Sequence, residues 1–206
     1  MGMNWVAVGL SLDLPAGVVM PALGHGIELA VWRSASGRLS AWKDRCPHRG
    51  MRLSHGFVRG EMLNCIYHGW VYGTDGACRH IPAHPALVPP TSIKTEAFIC
   101  REAQGVIWVA LAAVTDAIPD LSGLLAVRSL SVEASPQALA QALPELRFEN
   151  NILRGETPVG EVCLVLTSGP LGQTTVRALC EISADKIAVS RWLESLRRRV
   201  EQRVAA

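Results

Sequence analysis

Short apolar runs, broken every few positions by Gly, Pro, Ser or Asp, fill the first half of the chain. Trp5-Val6-Ala7-Val8, Ile27-Glu28-Leu29-Ala30-Val31-Trp32, Leu39-Ser40-Ala41-Trp42 and Val106-Ile107-Trp108-Val109-Ala110 are each long enough for one strand and too short for a stable helix. Their β-branched and aromatic side chains suit a pleated, half-buried surface. Between Trp70-Val71-Tyr72 and Ala77-Cys78-Arg79, the step Thr74-Asp75-Gly76 predicts a hairpin turn. Later in the chain the pattern changes. A linker is expected at 115–123, a strand at 127–132, a short helix at 136–143, strands at 146–153, 162–166 and 174–182, and a closing helix at 185–203. In that helix Val189, Trp192, Leu193, Leu196 and Val200 share one stripe, which predicts burial of that face.

The fold class implied is mainly β with an α+β C-terminal part, divided into regions 1–112 and 113–206. All six histidines lie between His25 and His84, and five of six tryptophans precede residue 110, so the two regions are expected to do different work. Charge separates them only weakly: residues 1–112 hold ten Lys or Arg against seven Asp or Glu, and the remainder ten against eleven. A net charge of +2 is too even for a nucleic-acid surface, and Arg197, Arg198 and Arg199 read as a solvated helix face. An apolar fraction of 49% with a mean hydropathy of +0.22 points to a buried contact with another subunit, in a homo- or hetero-oligomer. No run reaches eighteen apolar residues, so no membrane helix is expected. Met1-Gly2-Met3-Asn4-Trp5 has neither a basic nor an apolar leader pattern, and a cytoplasmic location is the corresponding expectation.

Two segments carry chemistry. Cys46-Pro47-His48-Arg49-Gly50 and Cys65-Ile66-Tyr67-His68-Gly69-Trp70 each pair a thiol with an imidazole, with sixteen residues between His48 and Cys65. A structural zinc ion accepts the same donors, although the layout fits zinc-finger spacing poorly. Cys78, Cys100, Cys163 and Cys180 lie in apolar or strand-like runs without a CxxC pattern and read as buried free thiols. His55, His80 and His84 stand beside turn residues and read as surface or hydrogen-bonding groups. Arg45, Arg49, Arg52 and Arg59 gather around the first segment, where they would either dock an acidic partner or remain solvated loop charges.

With its second segment continuing into Val71-Tyr72-Gly73-Thr74-Asp75-Gly76, the chain resembles the Rieske [2Fe-2S] family over residues 4–111, and more closely the ring-hydroxylating oxygenase and ferredoxin branch. The resemblance implies an antiparallel β sandwich with two cluster loops at one tip and one [2Fe-2S] cluster per chain. Cys46 and Cys65 would hold one iron, and His48 and His68 the other, an arrangement that raises the potential above that of an all-Cys cluster. Gly50 and Gly69 would let backbone amides approach the cluster sulfides. With few hydroxyl donors expected, the potential should fall near the low end of the Rieske range, roughly −150 mV.

A long oxygenase subunit of this family continues into a catalytic domain whose mononuclear iron is held by two His and a carboxylate. The sequence contains no histidine after His84, so those ligands have no counterparts, and no mononuclear iron is expected. Region 113–206 reads as a shortened remnant of such a domain. The leading expectation is a protein that passes single electrons from a reductase to an oxygenase centre in another chain. The alternatives are an oxygenase subunit active only beside a partner bearing the mononuclear iron, and a redox sensor or zinc-stabilised binding module.

Overall fold

The computed structural model describes residues 4–204. Strand β1 (Val6–Leu10) opens the chain. There follow β2 (Val19–Gly24), β3 (Ile27–Arg33), β4 (Leu39–Lys43), β5 (Phe57–Arg59), β6 (Met62–Asn64), β7 (Val71–Gly73), β8 (Cys78–His80), β9 (Ala97–Ala103) and β10 (Val106–Ala110). The C-terminal part contains β11 (Leu124–Val132), helix α1 (Pro136–Ala142), β12 (Arg147–Glu149), β13 (Ile152–Thr157), β14 (Gly160–Ser168), β15 (Thr174–Glu181) and helix α2 (Lys186–Val204). Two compact units result. One comprises Ser11–Glu102 and Ile107–Thr115; the other takes in the described residues up to Leu10, Ala103–Val106 and the chain from Asp116 onward.

In the unit built on Ser11–Glu102, strands run in the order β10-β9-β4-β3-β2, and a smaller sheet runs β5-β6-β7-β8. Strand β3 is buried on both faces from Leu29 to Trp32, because it lies inside its sheet and under the small one. Trp32 and Trp42 meet edge to face with centroids 5.0 Å apart, and Tyr72 stands 6.4 Å from Trp42. Around them Ala30, Leu53, Leu63 and Ile81 close an apolar core that also contains Cys46, Cys65 and Cys78. The two candidate thiols are thereby part of the core, not of the surface. The Thr74-Asp75-Gly76 hairpin forms between β7 and β8 as the sequence predicts.

In the other unit the sheet order is β11-β15-β14-β13-β12, antiparallel throughout. Both helices contribute to the core of one sheet face, where Leu139, Leu143, Leu164, Val176 and Ala178 pack with Val189, Leu193, Leu196 and Val200. The predicted stripe on α2 is buried, with Trp192 partly so. Ser135 caps α1 by accepting from the Ala138 amide at 3.1 Å, and Pro136 occupies the first turn, where its missing N–H costs nothing. On the solvent side of α2, Glu194 pairs with Arg197 and Arg198, and Arg197 with Glu201.

The expected single strand at 146–153 is instead the hairpin β12–β13. Asn150 and Asn151 turn it with φ of 51° and 60°, a left-handed pair that asparagine tolerates better than most side chains. The central strand β14 is buried from Val162 to Thr167, which explains its unbroken apolar run. On its second face Thr167 donates to the Ala7 carbonyl at 2.7 Å and accepts from Arg177 at 2.8 Å. Replacing Leu193 with Ala should remove about 2–5 kcal/mol of stability through the cavity left under α2, read as a lower urea midpoint with an unchanged slope.

Candidate metal centre

The two Cys-containing loops adopt one geometry. In the first, the Cys46 amide donates to the Met51 carbonyl at 2.8 Å, and the Gly50 amide to the Cys46 carbonyl at 2.8 Å. In the second, the Cys65 amide donates to the Trp70 carbonyl at 2.9 Å, and the Gly69 amide to the Cys65 carbonyl at 3.0 Å. Each is a single tight turn that ends on a glycine with φ near +70°, 71° at Gly50 and 69° at Gly69. A side chain there would be strained, and at Gly69 a Cβ would also come within 3.1 Å of the Pro82 ring.

Because each turn starts on its cysteine, both thiols point into the core and both imidazoles project outward. Cys46 is 3% exposed and Cys65 2%, whereas His68 is exposed and His48 half-buried. The two imidazoles face each other with ring centroids 4.6 Å apart at 65°. Trp70 stacks flat on His48 at 4.3 Å and 6°, and Tyr67 tilts over His68 at 3.9 Å. The donors form a thiol pair and an imidazole pair; among the described residues no three His, Cys, Asp or Glu side chains gather about one point. Two soft sulfur donors on one side and two nitrogen donors on the other fit the two irons of a [2Fe-2S] cluster.

Electrostatics act in opposite directions on the two donor pairs. Burial pushes the Cys65 thiol up, and the neighbouring Cys46 sulfur adds to the shift, while the Tyr67 and His68 amides oppose it by favouring the thiolate. Partial desolvation, followed by the proximity of His68 and Arg49, holds His48 below its ordinary value, so its imidazole is neutral and able to donate a lone pair near pH 7.

Two supporting contacts were not recognised from the sequence. Tyr72 lies on the inward face of β7, and its hydroxyl is 3.1 Å from the Cys46 sulfur. That hydroxyl is one polar group beside a candidate ligand sulfur beyond those expected from the sequence. Its signal was the Trp70-Val71-Tyr72 strand candidate directly after the second loop, which the structure forms as β7 from Val71 onward. Asp44, 1% exposed, accepts from the Ser54 amide at 2.7 Å and from its hydroxyl at 2.6 Å, which ties the end of the first loop back to its start.

Other candidates fall outside the centre. His55, His80 and His84 are exposed, as expected of surface groups. Cys78, Cys163 and Cys180 are buried and free, and Cys100 is free and half-buried. Burial pushes Cys163 up to about 12, which leaves it unreactive at neutral pH. The arginine group divides: Arg45 and Arg52 both pair with Glu28, and Arg59 lies 5.0 Å over the Phe57 ring. Arg49 is exposed and makes no ion pair among the described residues. Gly69→Ala should cost more stability than Gly50→Ala, by about 1–2 kcal/mol over the strain common to both. Urea titration of the two variants measures the difference.

Residues 4–99 match the family described as the Rieske [2Fe-2S] domain. Oxidoreductase NdmD of Pseudomonas putida is 44% identical over 109 residues, which are 52% of this chain and 18% of that protein. Methylxanthine N1-demethylase NdmA of the same organism is 48% identical over 71 residues, 34% of this chain and 20% of NdmA. The sequence match therefore spans about a fifth of the length of either relative. The solved structure of Pseudomonas putida CBB5 NdmA superposes with a TM-score of 0.73 at 23% identity, spanning 97% of this chain and 79% of NdmA, so the likeness of fold extends through both units. The twin glycine-ended turns, the buried thiols under paired imidazoles and these matches make residues 4–99 a Rieske [2Fe-2S] domain.

Proposed function

We propose that the protein is a single-electron carrier of a multicomponent oxygenase system, taking electrons from a reductase and delivering them to an oxygenase centre in another chain. The observation that carries this reading is the asymmetry of the four ligand candidates: the thiols are 2–3% exposed, while the His68 ring reaches solvent. In the proposed assignment Cys46 and Cys65 hold the inner iron and His48 and His68 the outer one. The bound cluster, one per chain, supplies a one-electron couple. His68 is the edge through which a partner reaches it, and Arg49 and Tyr67 frame that edge. With Cys46 bound to iron as a thiolate, the Tyr72 hydroxyl 3.1 Å away would be the donor, which favours the electron-richer, reduced state and raises the potential.

Residues 85–206 contain no histidine, so this stretch supplies no imidazole to a mononuclear iron site of the two-histidine type. Region 113–206 is then a reduced version of the oxygenase fold, kept as a sheet with a covering helix. The fold likeness over 97% of the chain favours a second reading, in which that unit docks within an oxygenase assembly and the protein is one of its subunits.

The test is a coupled assay of the iron-loaded protein with NADPH, plant ferredoxin–NADP reductase as the electron donor and cytochrome c as the acceptor. Cytochrome c reduction should depend on the protein and fall to background in His68→Ala, which removes one imidazole. A cluster that is reduced by dithionite but exchanges electrons with neither protein would contradict the carrier reading. In the same preparation Tyr72→Phe should lower the midpoint potential by tens of millivolts, the scale of one hydrogen bond to a cluster sulfur, as measured by spectroelectrochemical titration.

A further inference from the structure

We propose that Trp70 is a positioning residue for His48, a cross-loop clamp that fixes the orientation of one of the two imidazoles and not the other. This rests on the ligand assignment proposed above. The backbone of Trp70 belongs to the second loop, where its carbonyl accepts the Cys65 amide at 2.9 Å. Its indole, partly buried against the core that holds both thiols, lies flat on the imidazole of the first loop at 4.3 Å and 6°. One side chain thus ties the second loop to the ring carried by the first. Tyr67 offers His68 no equivalent: it is the adjacent residue in sequence, 58% exposed, and tilted at 40°. His48 is stacked flat across the loops, whereas His68 meets the other loop only edge-on, through the His48 ring at 4.6 Å, and is otherwise flanked by its own neighbour.

A stacked aromatic pair resists rotation of the imidazole about its side-chain bonds, because sliding or tilting gives up the ring-to-ring contact. A ring restrained in this way presents its nitrogen along one direction in both oxidation states, so little rearrangement accompanies electron gain or loss. The freer His68 is left to adapt to a docked partner.

The experiment compares Trp70→Leu, Trp70→Phe and Tyr67→Leu in the iron-loaded protein, reading the two nitrogen hyperfine couplings of the reduced cluster by pulsed electron–nuclear double resonance. A second readout is the half-life of the cluster against bathophenanthroline. Trp70→Leu should broaden one of the two nitrogen couplings and shorten the half-life about fivefold, the scale of one aromatic pair. Trp70→Phe, which restores a ring, should return both towards the wild type, and Tyr67→Leu should change neither. Should Trp70→Leu not accumulate, Trp70→Met keeps the apolar volume without the ring and reads the same quantities. Unchanged couplings and half-life in the ringless variants, or equal changes in Tyr67→Leu, would overturn the clamp. Absence of two nitrogen couplings in the wild type would instead overturn the ligand assignment beneath it.

Discussion

Two sulfurs buried side by side in an apolar core are the constraint on which the centre depends. Thiolates in such a place are costly unless positive charge and hydrogen bonds reach them. The surrounding chain meets part of that demand: the Tyr67 and His68 amides favour the charged form of Cys65, and the Tyr72 hydroxyl reaches Cys46. Iron would meet the remainder, since a coordinating thiol is deprotonated outright. The requirement for amides near the sulfurs explains the tight turns, and the tight turns explain Gly50 and Gly69. With the thiols pointing inward, the same turns send His48 and His68 toward the surface, so burial of one donor pair and exposure of the other have a common origin.

Rigidity around the centre comes largely from residues that are not among its four candidate donors. The Asp44–Ser54 pair closes the base of the first loop, and the Trp32–Trp42–Tyr72 edge-to-face series fills the space beneath both. Glu28 draws Arg45 and Arg52 together at the side of the first loop, which turns two of four nearby cations into structural partners. Only part of the positive charge visible in the sequence is therefore left for a partner.

Most of this centre was legible before the structure, because ligand chemistry leaves a fixed local signature. Thiol, imidazole and glycine recur at short spacing, and the chain between has little freedom to place them elsewhere. Strands with uniform apolar runs, such as those containing Trp32 and Val106, were equally plain. What escaped were features set by pairing across the fold. The hydroxyl of Tyr72 is a strand residue until Cys46 is brought under it, and Trp70 becomes a partner of His48 only when the two loops meet. The Asn150–Asn151 turn was lost inside one expected strand, since left-handed asparagine pairs lack the marker that glycine supplies. The stripe on α2 was clear from its helical period, but the sheet it covers could not be ordered from sequence, where β11 pairs with β15, its neighbour in space and not in the chain.

The central claim is that this donor set holds a [2Fe-2S] cluster with mixed ligation. Electron paramagnetic resonance of the dithionite-reduced protein, purified without oxygen and with iron and zinc quantified on the same sample, tests it most directly. The account predicts two irons per chain and a reduced-state signal averaging near g of about 1.9, as nitrogen ligation on one iron requires. Stoichiometric zinc without iron, or an iron-sulfur signal without coupled nitrogens, would contradict it.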